Sequence, residues 1–463
     1  MIKFGTDGWR GIIGDDFTFN NIRIVGQAIA DYLKRNSRKS RLRVVIGYDR
    51  RFLSKEFASE TGCVLAANGI KVILSSASVP TPAVSFHALY DKYDLGVMIT
   101  ASHNPAKFNG LKIKTADGGA ADKVLTDKVE KLIGKSKPRY IAFQEAVKRN
   151  RIEIKALSTS YVDFLRKFVA INKIRKMKLR VLADIMYGAG DRFIEKVLGQ
   201  AGIKIDYLHE EFNPSFGGIH PEPIDTNLRE LIGRVKKEKY DLGIALDGDA
   251  DRIAAVTRKG EFINAQVLLP MLAIHMVKNR KESSGIGKTV VGSNLIDEVS
   301  LSLNVPCYET PVGFKYISNL FKENLISIGG EEAGGIGFKG YIPERDGTAS
   351  FLMLLEMMAL EDKSFSQLLK KLWKDYGKWH YTRTSFSIKK AGKSFSSIKL
   401  PRSILGKKVE RINRSDGIKL ITKDSWLMFR KSGTEPIIRV YAEARSAKEM
   451  GDLIKLGKRL INT

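Results

Sequence analysis

The sequence predicts three similar α/β domains with mixed, mainly parallel sheets, followed by a C-terminal α+β domain. Apolar, strand-like runs alternate with helical patterns in three successive rounds, and the last part of the chain changes to short strands of alternating polarity. A chain of 463 residues, 43% of them hydrophobic, is long enough for several cores at roughly 100–200 residues per domain.

The first round of the pattern indicates a domain over residues 1–140. Its strand-like runs are LRVVIGY (42–48), IKVILSS (70–76) and DLGVMIT (94–100), and a helical pattern over 54–68 separates the first two. Strand, helix and strand in this order predict parallel strands that are covered by helices.

The same rhythm restarts in a second domain, predicted over residues 155–256. The run LRVLADI (179–185) precedes a helix that ends near residue 200, and YDLGIALD (240–247) supplies the last strand. Residue identity with the first round is too low for a sequence repeat, so only the architecture repeats.

A third round predicts a domain over residues 257–368. We expect TVVGSNL (289–295) to form one strand and NLISIGG (324–330) another, with a helix near 349–361. The plan again matches a sheet with covering helices.

The C-terminal domain is predicted over residues 378–463 and follows a segment near 361–377 that is rich in Lys and Ser. Its strands are short, and they include SWLMFR and IIRVYAEA. A helix is expected from Ala447 to the end of the chain. Strands followed by a single helix indicate an α+β domain.

The formal net charge of +27 is the unusual feature of the composition. Positive charge attracts polyanions and phosphate substrates alike, so it does not choose between them. The basic run over 34–41 lacks the interleaved aromatic side chains of a surface that binds single strands. A solvated basic face is therefore expected, without a specific nucleic-acid partner.

The cysteines and the N-terminus indicate the compartment. Cys63 and Cys307 lie far apart in the sequence, so neither a disulfide framework nor a Cys-rich zinc site is supported. The chain does not open with a basic region and an apolar run, and no stretch reaches membrane-spanning length. We expect a cytoplasmic protein without a membrane partner.

The first candidate site is TASHNP (100–105), directly after an apolar strand. Loops at the carboxyl edge of a parallel sheet bind ligands in open α/β folds, so Ser102 is placed for function. An ordinary turn is the alternative, because Ser, Asn and Pro are frequent turn residues. We expect Ser102 on the surface and His103 on the opposite side of the chain, as for neighbours in an extended segment.

The second candidate site is DGDADR (247–252), again at the end of an apolar strand. Its three carboxylates at alternate positions can converge on one hard cation, and without a metal their mutual repulsion is costly. An EF-hand is excluded because Arg252 stands at its sixth position and Arg258 at its twelfth. A metal site is therefore favoured over an ordinary acidic turn. Because the ligands are few and all of them are oxygens, magnesium is the expected metal.

The third candidate site is GGEEAGG (329–335), after another strand-like run. Paired carboxylates among glycines can approach a polyhydroxyl ligand and accept hydrogen bonds from it, whereas glycines alone would mean only a flexible turn. The spacing Gly335-x-Gly337-x-x-Gly340 matches a dinucleotide fingerprint formally. We discount it, because Pro343 follows where a helix would have to begin.

The fourth candidate site is RKSGTEP (430–436), between the last two strand-like runs. Hydroxyls, a glycine and cations in one tight loop supply the donors that hold a phosphate. A polar hairpin turn is the alternative, but Arg439 on the following strand favours an anion site.

Together the four loops predict phosphoryl transfer on a sugar. The sequence resembles the α-D-phosphohexomutase superfamily over essentially its whole length. The segments that carry this resemblance occur in the family's order, and they are FGTDGWRG, TASHNP, LDGDADR, GGEEAGG and RKSGTEP. The resemblance implies four domains around a central cleft.

The resemblance also implies roles for individual residues. It implies one magnesium ion, whose ligands would be a phosphoserine oxygen of Ser102 with Asp247, Asp249 and Asp251. The catalytic groups near the reacting phosphate would be Ser102, Arg10, Lys112 and Arg252, with Lys112 or His103 as a proton carrier. The residues expected to bind substrate are Gly313, Lys315, Glu331, Ala333, Arg430, Ser432, Gly433, Thr434 and Arg439.

The implied reaction interconverts hexose 1-phosphates and hexose 6-phosphates, with glucose 1,6-bisphosphate as intermediate and activator. Ala333 stands where many relatives carry Ser, and Glu332 resembles the second Glu of glucose and mannose enzymes. The loop over 310–315 resembles the sugar-discriminating loop of phosphoglucomutases and not the His-bearing loop of some dual-specificity relatives. We therefore rank glucose first, mannose second and glucosamine third. A sugar phosphatase and a polyanion-binding protein are the alternatives, and the chain is expected to be a monomer or a homodimer.

Overall fold

The computed structural model describes residues 2–5, 8–387, 400–431 and 437–462. These residues form four successive sheets, and the first three each combine parallel strands with antiparallel strands at one edge. The fourth sheet is antiparallel throughout. The predicted fold class is thereby confirmed, while the domain boundaries given above stay a prediction.

The first sheet has the strand order β1-β5-β4-β2-β3-β6, in which β4, β2, β3 and β6 run parallel. Its strands are β1 (Trp9–Ile12), β2 (Arg43–Tyr48), β3 (Lys71–Ser75), β4 (Leu95–Ile99), β5 (Phe108–Thr115) and β6 (Ile152–Lys155). Its helices are α1 (Phe19–Asn36), α2 (Ser54–Ala67), α3 (Thr81–Tyr90), α4 (Lys123–Glu130) and α5 (Phe143–Lys148). Side chains cap α1 and α4, where Thr18 and Asp122 accept backbone N–H groups of the first turn.

The second sheet has the order β11-β10-β9-β7-β8. Its helices are α6 (Ser158–Phe168), α7 (Ile171–Ile174), α8 (Phe193–Leu198) and α9 (Arg229–Lys237). Its strands are β7 (Leu179–Asp184), β8 (Ile203–Leu208), β9 (Leu242–Leu246), β10 (Ile253–Thr257) and β11 (Phe262–Ile263). The reversal from β9 to β10 puts the DGDADR loop at the carboxyl end of a parallel strand.

The third sheet has the order β13-β12-β14-β15. Its strands are β12 (Ile286–Thr289), β13 (Cys307–Thr310), β14 (Ile328–Gly330) and β15 (Ile336–Phe338). Its helices are α10 (Ala265–Lys278), α11 (Asn294–Leu303), α12 (Phe314–Lys322), α13 (Gly347–Glu361) and α14 (Phe365–Tyr376). Helix α14 lies in the segment rich in Lys and Ser, which is therefore not an extended connection.

The prediction of a strand over residues 289–295 was wrong, because β12 lies earlier and α11 begins inside that run. Ser293 caps α11 by accepting the Leu295 N–H at 3.0 Å. Val290 and Val291 are apolar for a different reason, since both belong to a buried hydrophobic cluster that includes Trp426 of the fourth domain. Contact with another domain and strand pairing leave the same apolar signal in a sequence.

The fourth sheet has the order β16-β22-β21-β20-β19, and a separate hairpin joins β17 to β18. Its strands are β16 (His380–Ser387), β17 (Ser403–Ile404), β18 (Lys407–Lys408), β19 (Arg411–Asn413), β20 (Ile418–Ile421), β21 (Ser425–Lys431) and β22 (Ile437–Ala444). Helix α15 (Ala447–Asn462) closes the chain, as predicted. No helix among the described residues combines the length and apolar character that crossing a membrane requires.

One continuous hydrophobic cluster joins the first three domains. It contains Val45 and Val84 of the first domain, Val181 and Leu246 of the second, and Leu352 of the third, all fully buried. Separate clusters fill the rest of the first domain and the fourth domain. The first three domains therefore pack as one body, against which the fourth domain docks through the Trp426 cluster.

Glu356 of α13 ties the second domain to the third. Its carboxylate accepts hydrogen bonds from Arg280 Nε at 2.6 Å, from the Ala170 N–H at 2.6 Å and from His275 at 3.1 Å. Burial alone would raise the pKa of this carboxyl, but the hydrogen bonds from Arg280 and His275 outweigh burial and lower the pKa to about 2.

We expect Glu356→Gln to lower the free energy of unfolding at pH 7 by about 2–3 kcal/mol. The folded-state pKa lies below the ordinary value of 4.5, so the stabilisation is complete above pH 4.5 and is lost as the pH falls through about 2. Denaturation curves at pH 7 and at about pH 3 should show the difference shrink by roughly half. Glu361→Gln, at the end of the same helix, is the control, and a difference independent of pH would contradict this account.

Candidate active site

Ser102 lies in the loop that follows β4, as predicted, but it is fully buried instead of exposed. Its φ of 52° is in the left-handed region, so the chain turns sharply at this residue. Thr100 stabilises the turn by accepting the Ser102 N–H at 2.8 Å through its hydroxyl oxygen. The expected surface position was wrong, because the loop is covered by the second domain.

Arg51 holds the serine loop in place through its backbone. The sequence analysis did not identify this residue. It is 2% exposed, and it is 3.2 Å from the Asp49 carboxylate. It donates hydrogen bonds to the backbone carbonyls of Ser102, Asn104, Pro105 and Phe108. Backbone acceptors leave no signal in the sequence, so only the folded chain reveals why an arginine is buried here.

The acidic loop between β9 and β10 lies directly against the serine loop. Ser102 Oγ donates a hydrogen bond to Asp247 Oδ2 at 2.9 Å, across 145 positions of sequence. Gly248 permits this approach, because a Cβ at that position would lie 2.5 Å from the Ser102 carbonyl oxygen. The two loops that the sequence singled out separately form one site.

The three carboxylates of this loop converge, with one oxygen of each within 4.8 Å of the others. Lys112 Nζ bridges Asp249 Oδ2 at 2.9 Å and Asp251 Oδ2 at 3.0 Å. Arg345 also contacts Asp251 Oδ2, at 3.0 Å, and Thr81 donates to Asp249 Oδ2. The second oxygens of Asp249 and Asp251 are buried without a hydrogen-bond partner within the described part of the chain. Buried oxygens left in this way suit a hard divalent cation.

The electrostatics of the triad also favour a bound cation. Burial, and then the charges of Asp251 and Asp249, raise the pKa of Asp247 well above its ordinary value. Burial has the same tendency at Asp249, but Lys112 and the Thr81 hydroxyl reverse it and lower the pKa of that carboxyl. A divalent cation would offset both the cost of burying these carboxylates and the repulsion between them.

His103 lies on the same side as Ser102, so the expectation that it points away was wrong. Its Nδ1 atom is 3.3 Å from Ser102 Oγ, because the left-handed turn at Ser102 breaks the alternation of an extended chain. Burial, and then the charges of Arg252 and Arg10, lower the pKa of His103 well below its ordinary value. The imidazole is therefore neutral at pH 7.

The other predicted cations also reach this region. Arg10 donates to the side-chain oxygen of Asn104 in the serine loop. Arg252 Nε lies 3.8 Å from both Asp247 Oδ2 and Asp251 Oδ1. Together with Lys112, these residues surround Ser102 with positive charge from the first two domains.

The third domain contributes the loop between β14 and β15. Glu331 accepts a hydrogen bond from Arg345 at 2.7 Å, and Arg345 in turn reaches the acidic triad. Glu332 and Ala333 follow in this loop, and both are partly buried. Arg345 was not predicted, although it connects two predicted loops, because its position gives no pattern in the sequence.

Gly313 and Lys315 lie at the start of α12, where Gly313 is the N-cap with a φ of 134°. A φ of this kind favours glycine. Residue Lys315 is partly buried, and its Nζ lies 5.3 Å from the Tyr316 ring centroid. Gly313 therefore ends the loop that connects β13 to α12, and Lys315 lies in the first turn of α12.

The fourth domain contributes arginines from one face of its sheet. Arg430 on β21 is directly opposite Arg439 on β22, so their side chains share a face. Arg383 on β16 donates to Glu222 Oε1 at 2.9 Å and lies 3.7 Å from Glu332. Neither Arg383 nor Glu222 was predicted. The predicted phosphate-binding residues Ser432, Gly433 and Thr434 lie outside the described residues.

Three α/β domains and a fourth domain, meeting at a serine beside an acidic triad, define the α-D-phosphohexomutase class. Models of the phosphoglucomutase/phosphomannomutase family match the chain in order: alpha/beta/alpha domain I at 1–139, domain II at 159–260, domain III at 264–376 and the C-terminal domain at 392–455. The chain belongs to the phosphoglucomutase/phosphomannomutase family.

Similar proteins span nearly the same length. A phosphoglucomutase/phosphomannomutase of Thermococcus kodakarensis is 30% identical, covering 99% of this chain and 98% of the relative. A phosphoglucosamine/phosphogalactosamine mutase of Sulfurisphaera tokodaii is 31% identical over the same shares. A solved structure from Thermus thermophilus, described provisionally as a phosphomannomutase, is 30% identical with a TM-score of 0.89 and covers 100% of this chain and 99% of its own.

Proposed function

We propose that the protein is a phosphohexomutase that interconverts hexose 1-phosphates and hexose 6-phosphates through a phosphorylated Ser102. The contact of 2.9 Å between Ser102 Oγ and Asp247 Oδ2 carries this proposal. It brings a potential phosphoryl acceptor next to a triad of carboxylates suited to a divalent cation. Family membership and the names of full-length relatives support the same reaction.

Asp247, Asp249 and Asp251 would hold one magnesium ion together with an oxygen of the phosphorylated Ser102. Bound there, magnesium would supply positive charge next to the phosphoryl group in transit. The Oδ1 atoms of Asp249 and Asp251, which accept no hydrogen bond within the described part of the chain, support this ligand set. Lys112 and Arg345 hold the other oxygens of these two carboxylates and so orient them.

In the first transfer, the bond between phosphorus and Ser102 Oγ breaks, and a bond forms to the oxygen of the free sugar hydroxyl. The proton of that hydroxyl must finish on Ser102 Oγ. His103 is our assignment for the proton carrier, because it is neutral and 3.3 Å from Ser102 Oγ. Lys112, which is held between two carboxylates, instead serves as a fixed positive charge.

The remaining cations bind the charge of the substrate. Arg10, Lys112 and Arg252 would stabilise the equatorial oxygens of the phosphoryl group during transfer. The non-transferring phosphate would bind to Arg430, Ser432, Gly433, Thr434 and Arg439. The sugar would contact Gly313, Lys315, Glu331 and Ala333. These assignments account for part of the net charge of +27.

After the first transfer the substrate is a hexose 1,6-bisphosphate. It must turn around in the site, so that its other phosphoryl group can return to Ser102. A trace of glucose 1,6-bisphosphate should therefore activate the protein by phosphorylating Ser102. We propose glucose as the preferred sugar and mannose as the second.

A phosphoglucosamine mutase is the alternative function, because a relative with 31% identity is described as a phosphoglucosamine/phosphogalactosamine mutase. Glu332 instead favours glucose and mannose as substrates, because it resembles the second Glu of the GEE segment in the enzymes that act on those sugars. The alternative sugars therefore have to be compared directly.

Phosphorus NMR of the purified protein with magnesium and a trace of glucose 1,6-bisphosphate tests the proposal. Glucose, mannose and glucosamine 1-phosphates are supplied in separate tubes. We expect a 6-phosphate to appear, fastest from glucose. Free phosphate in every tube would identify a phosphatase, and no change in any tube would contradict the mutase proposal.

A further inference from the structure

The turn between β19 and β20 connects two parts of the proposed active site. Asp416 in this turn accepts two hydrogen bonds on one oxygen, Oδ2. One comes from the backbone N–H of Val312 at 2.8 Å, and the other from Nε of Arg430 at 2.9 Å. Val312 is in the third domain, whereas Asp416 and Arg430 are in the fourth.

Contacts at both ends of this turn fix the place of Asp416. Gly417 has a φ of 120°, and a Cβ there would lie 2.3 Å from the Phe429 carbonyl oxygen. The close contact with β21 therefore requires glycine and places Asp416 next to Arg430. Asn413, at the other end of the turn, donates to Glu309 Oε1 of β13 at 2.7 Å.

Val312 immediately precedes Gly313 in the loop that leads to Lys315, the segment assigned above to the sugar. Its side chain packs against the cluster that Val290 and Val291 of the third domain form with Trp426, Met428 and Tyr441 of the fourth domain. The loop therefore lies at the contact between the two domains. An acceptor that binds both the Val312 N–H and an arginine of the proposed phosphate site holds the loop at a fixed position relative to that arginine. Asp416 is such an acceptor.

We propose that Asp416 is a positioning residue that fixes the sugar loop relative to the phosphate-binding Arg430, and thereby sets the discrimination among hexoses. This inference rests on the proposed function, because it assigns substrate groups to both ends of the contact. The distance between the phosphate and the sugar ring in a substrate is fixed by covalent bonds. A loop that is held at a fixed distance from Arg430 therefore meets the same part of the sugar ring in every bound substrate. Differences between hexoses at that part of the ring then change their binding.

A purely electrostatic role for Asp416 predicts the opposite effect on substrate affinity. A carboxylate near a phosphate site repels the phosphate, so removing its charge would lower KM. If Asp416 instead orients Arg430, losing the carboxylate weakens the grip on the phosphate and raises KM. The sign of the change in KM separates the two roles.

The test compares Asp416→Ala and Asp416→Asn with wild type. KM and kcat are measured for glucose, mannose and glucosamine 1-phosphates. We expect Asp416→Ala to raise KM about tenfold, because a charge-assisted hydrogen bond is lost, with kcat within about twofold. The ratio of kcat/KM between the best and the second sugar should fall about fivefold.

Asp416→Asn keeps an oxygen acceptor for both N–H groups without the charge. We expect its KM to rise about threefold and its sugar ratio to stay within about twofold of wild type. Asp424→Asn is the matched control, because that carboxylate binds Lys407 in a different turn of the same domain. Its constants should equal those of wild type.

An unchanged sugar ratio and KM in a folded Asp416→Ala protein would overturn the inference. If that variant does not fold, a KM below wild type in Asp416→Asn would overturn it instead. A wild-type protein that isomerises no hexose phosphate would remove the proposed function itself, and that result is distinct from both.

Discussion

Ser102→Ala should abolish turnover, with a fall in kcat of more than about 10⁴-fold, the scale expected when an enzyme loses its covalent nucleophile. Without the Ser102 hydroxyl there is no oxygen to carry the phosphoryl group between the two transfers. His103 and the cations around the site would remain, but the substrate would have no protein oxygen to which its phosphoryl group could be transferred. Rates from phosphorus NMR, with wild type as reference, measure the loss.

The fold should survive this change. Ser102 is buried, and Ala is smaller by one hydroxyl, so the main structural loss is the hydrogen bond to Asp247, worth about 1 kcal/mol. Ser300→Ala is a matched control, since that buried hydroxyl bonds to the Val305 carbonyl away from the site. It should retain full activity.

Intact-mass spectrometry after incubation with glucose 1,6-bisphosphate should find one added phosphoryl group on wild type and none on Ser102→Ala. Substantial turnover in Ser102→Ala would rule out the phosphoserine mechanism.

The second large effect is expected at Asp249. Asp249→Asn should raise the magnesium concentration needed for half-maximal activity by at least about 100-fold. Replacing a residue that only orients a metal ligand already lowers metal affinity by about 10–100-fold, and Asp249 is proposed as a ligand itself. One oxygen of Asp249 is occupied by Lys112 and Thr81, so the other is the one available to a cation. In Asn one of the two oxygens becomes an amide nitrogen that cannot bind a cation.

A readout other than activity separates metal binding from chemistry. Magnesium should raise the melting temperature of wild type, because a ligand that binds only the folded state stabilises it. Asp249→Asn should lose this shift. Asp206→Asn is the control, because that exposed carboxylate pairs with Tyr240 at the edge of the second domain. An unchanged magnesium requirement in Asp249→Asn would exclude this loop from the metal site.

Most of the fold could be predicted because strands and helices depend on local pattern. The runs at 42–48, 70–76 and 94–100 each match an observed strand to within one residue at either end. The prediction at 289–295 was wrong, because Val290 and Val291 are buried in a cluster with Trp426 of the fourth domain instead of in a strand. Local pattern reports that a side chain is buried, but not which partner buries it.

The individual loops of the candidate site could likewise be found from sequence. Ser102 and the triad of Asp247, Asp249 and Asp251 stand at strand ends, where α/β sheets bind ligands. The residues that join the loops could not be found. Arg51 binds backbone carbonyls, and Asp416 binds a backbone N–H, so neither contact depends on a recognisable partner residue.

The sequence by itself determined most of the strands and helices and singled out the four loops, because each depends on neighbours within a few residues. Only the tertiary structure decided that Ser102 is buried, that His103 lies on its side and that Asp247 meets it across 145 positions. Such contacts depend on how separate domains pack. A glycine at 248 permits the approach, but nothing near it in the sequence specifies the surface that approaches.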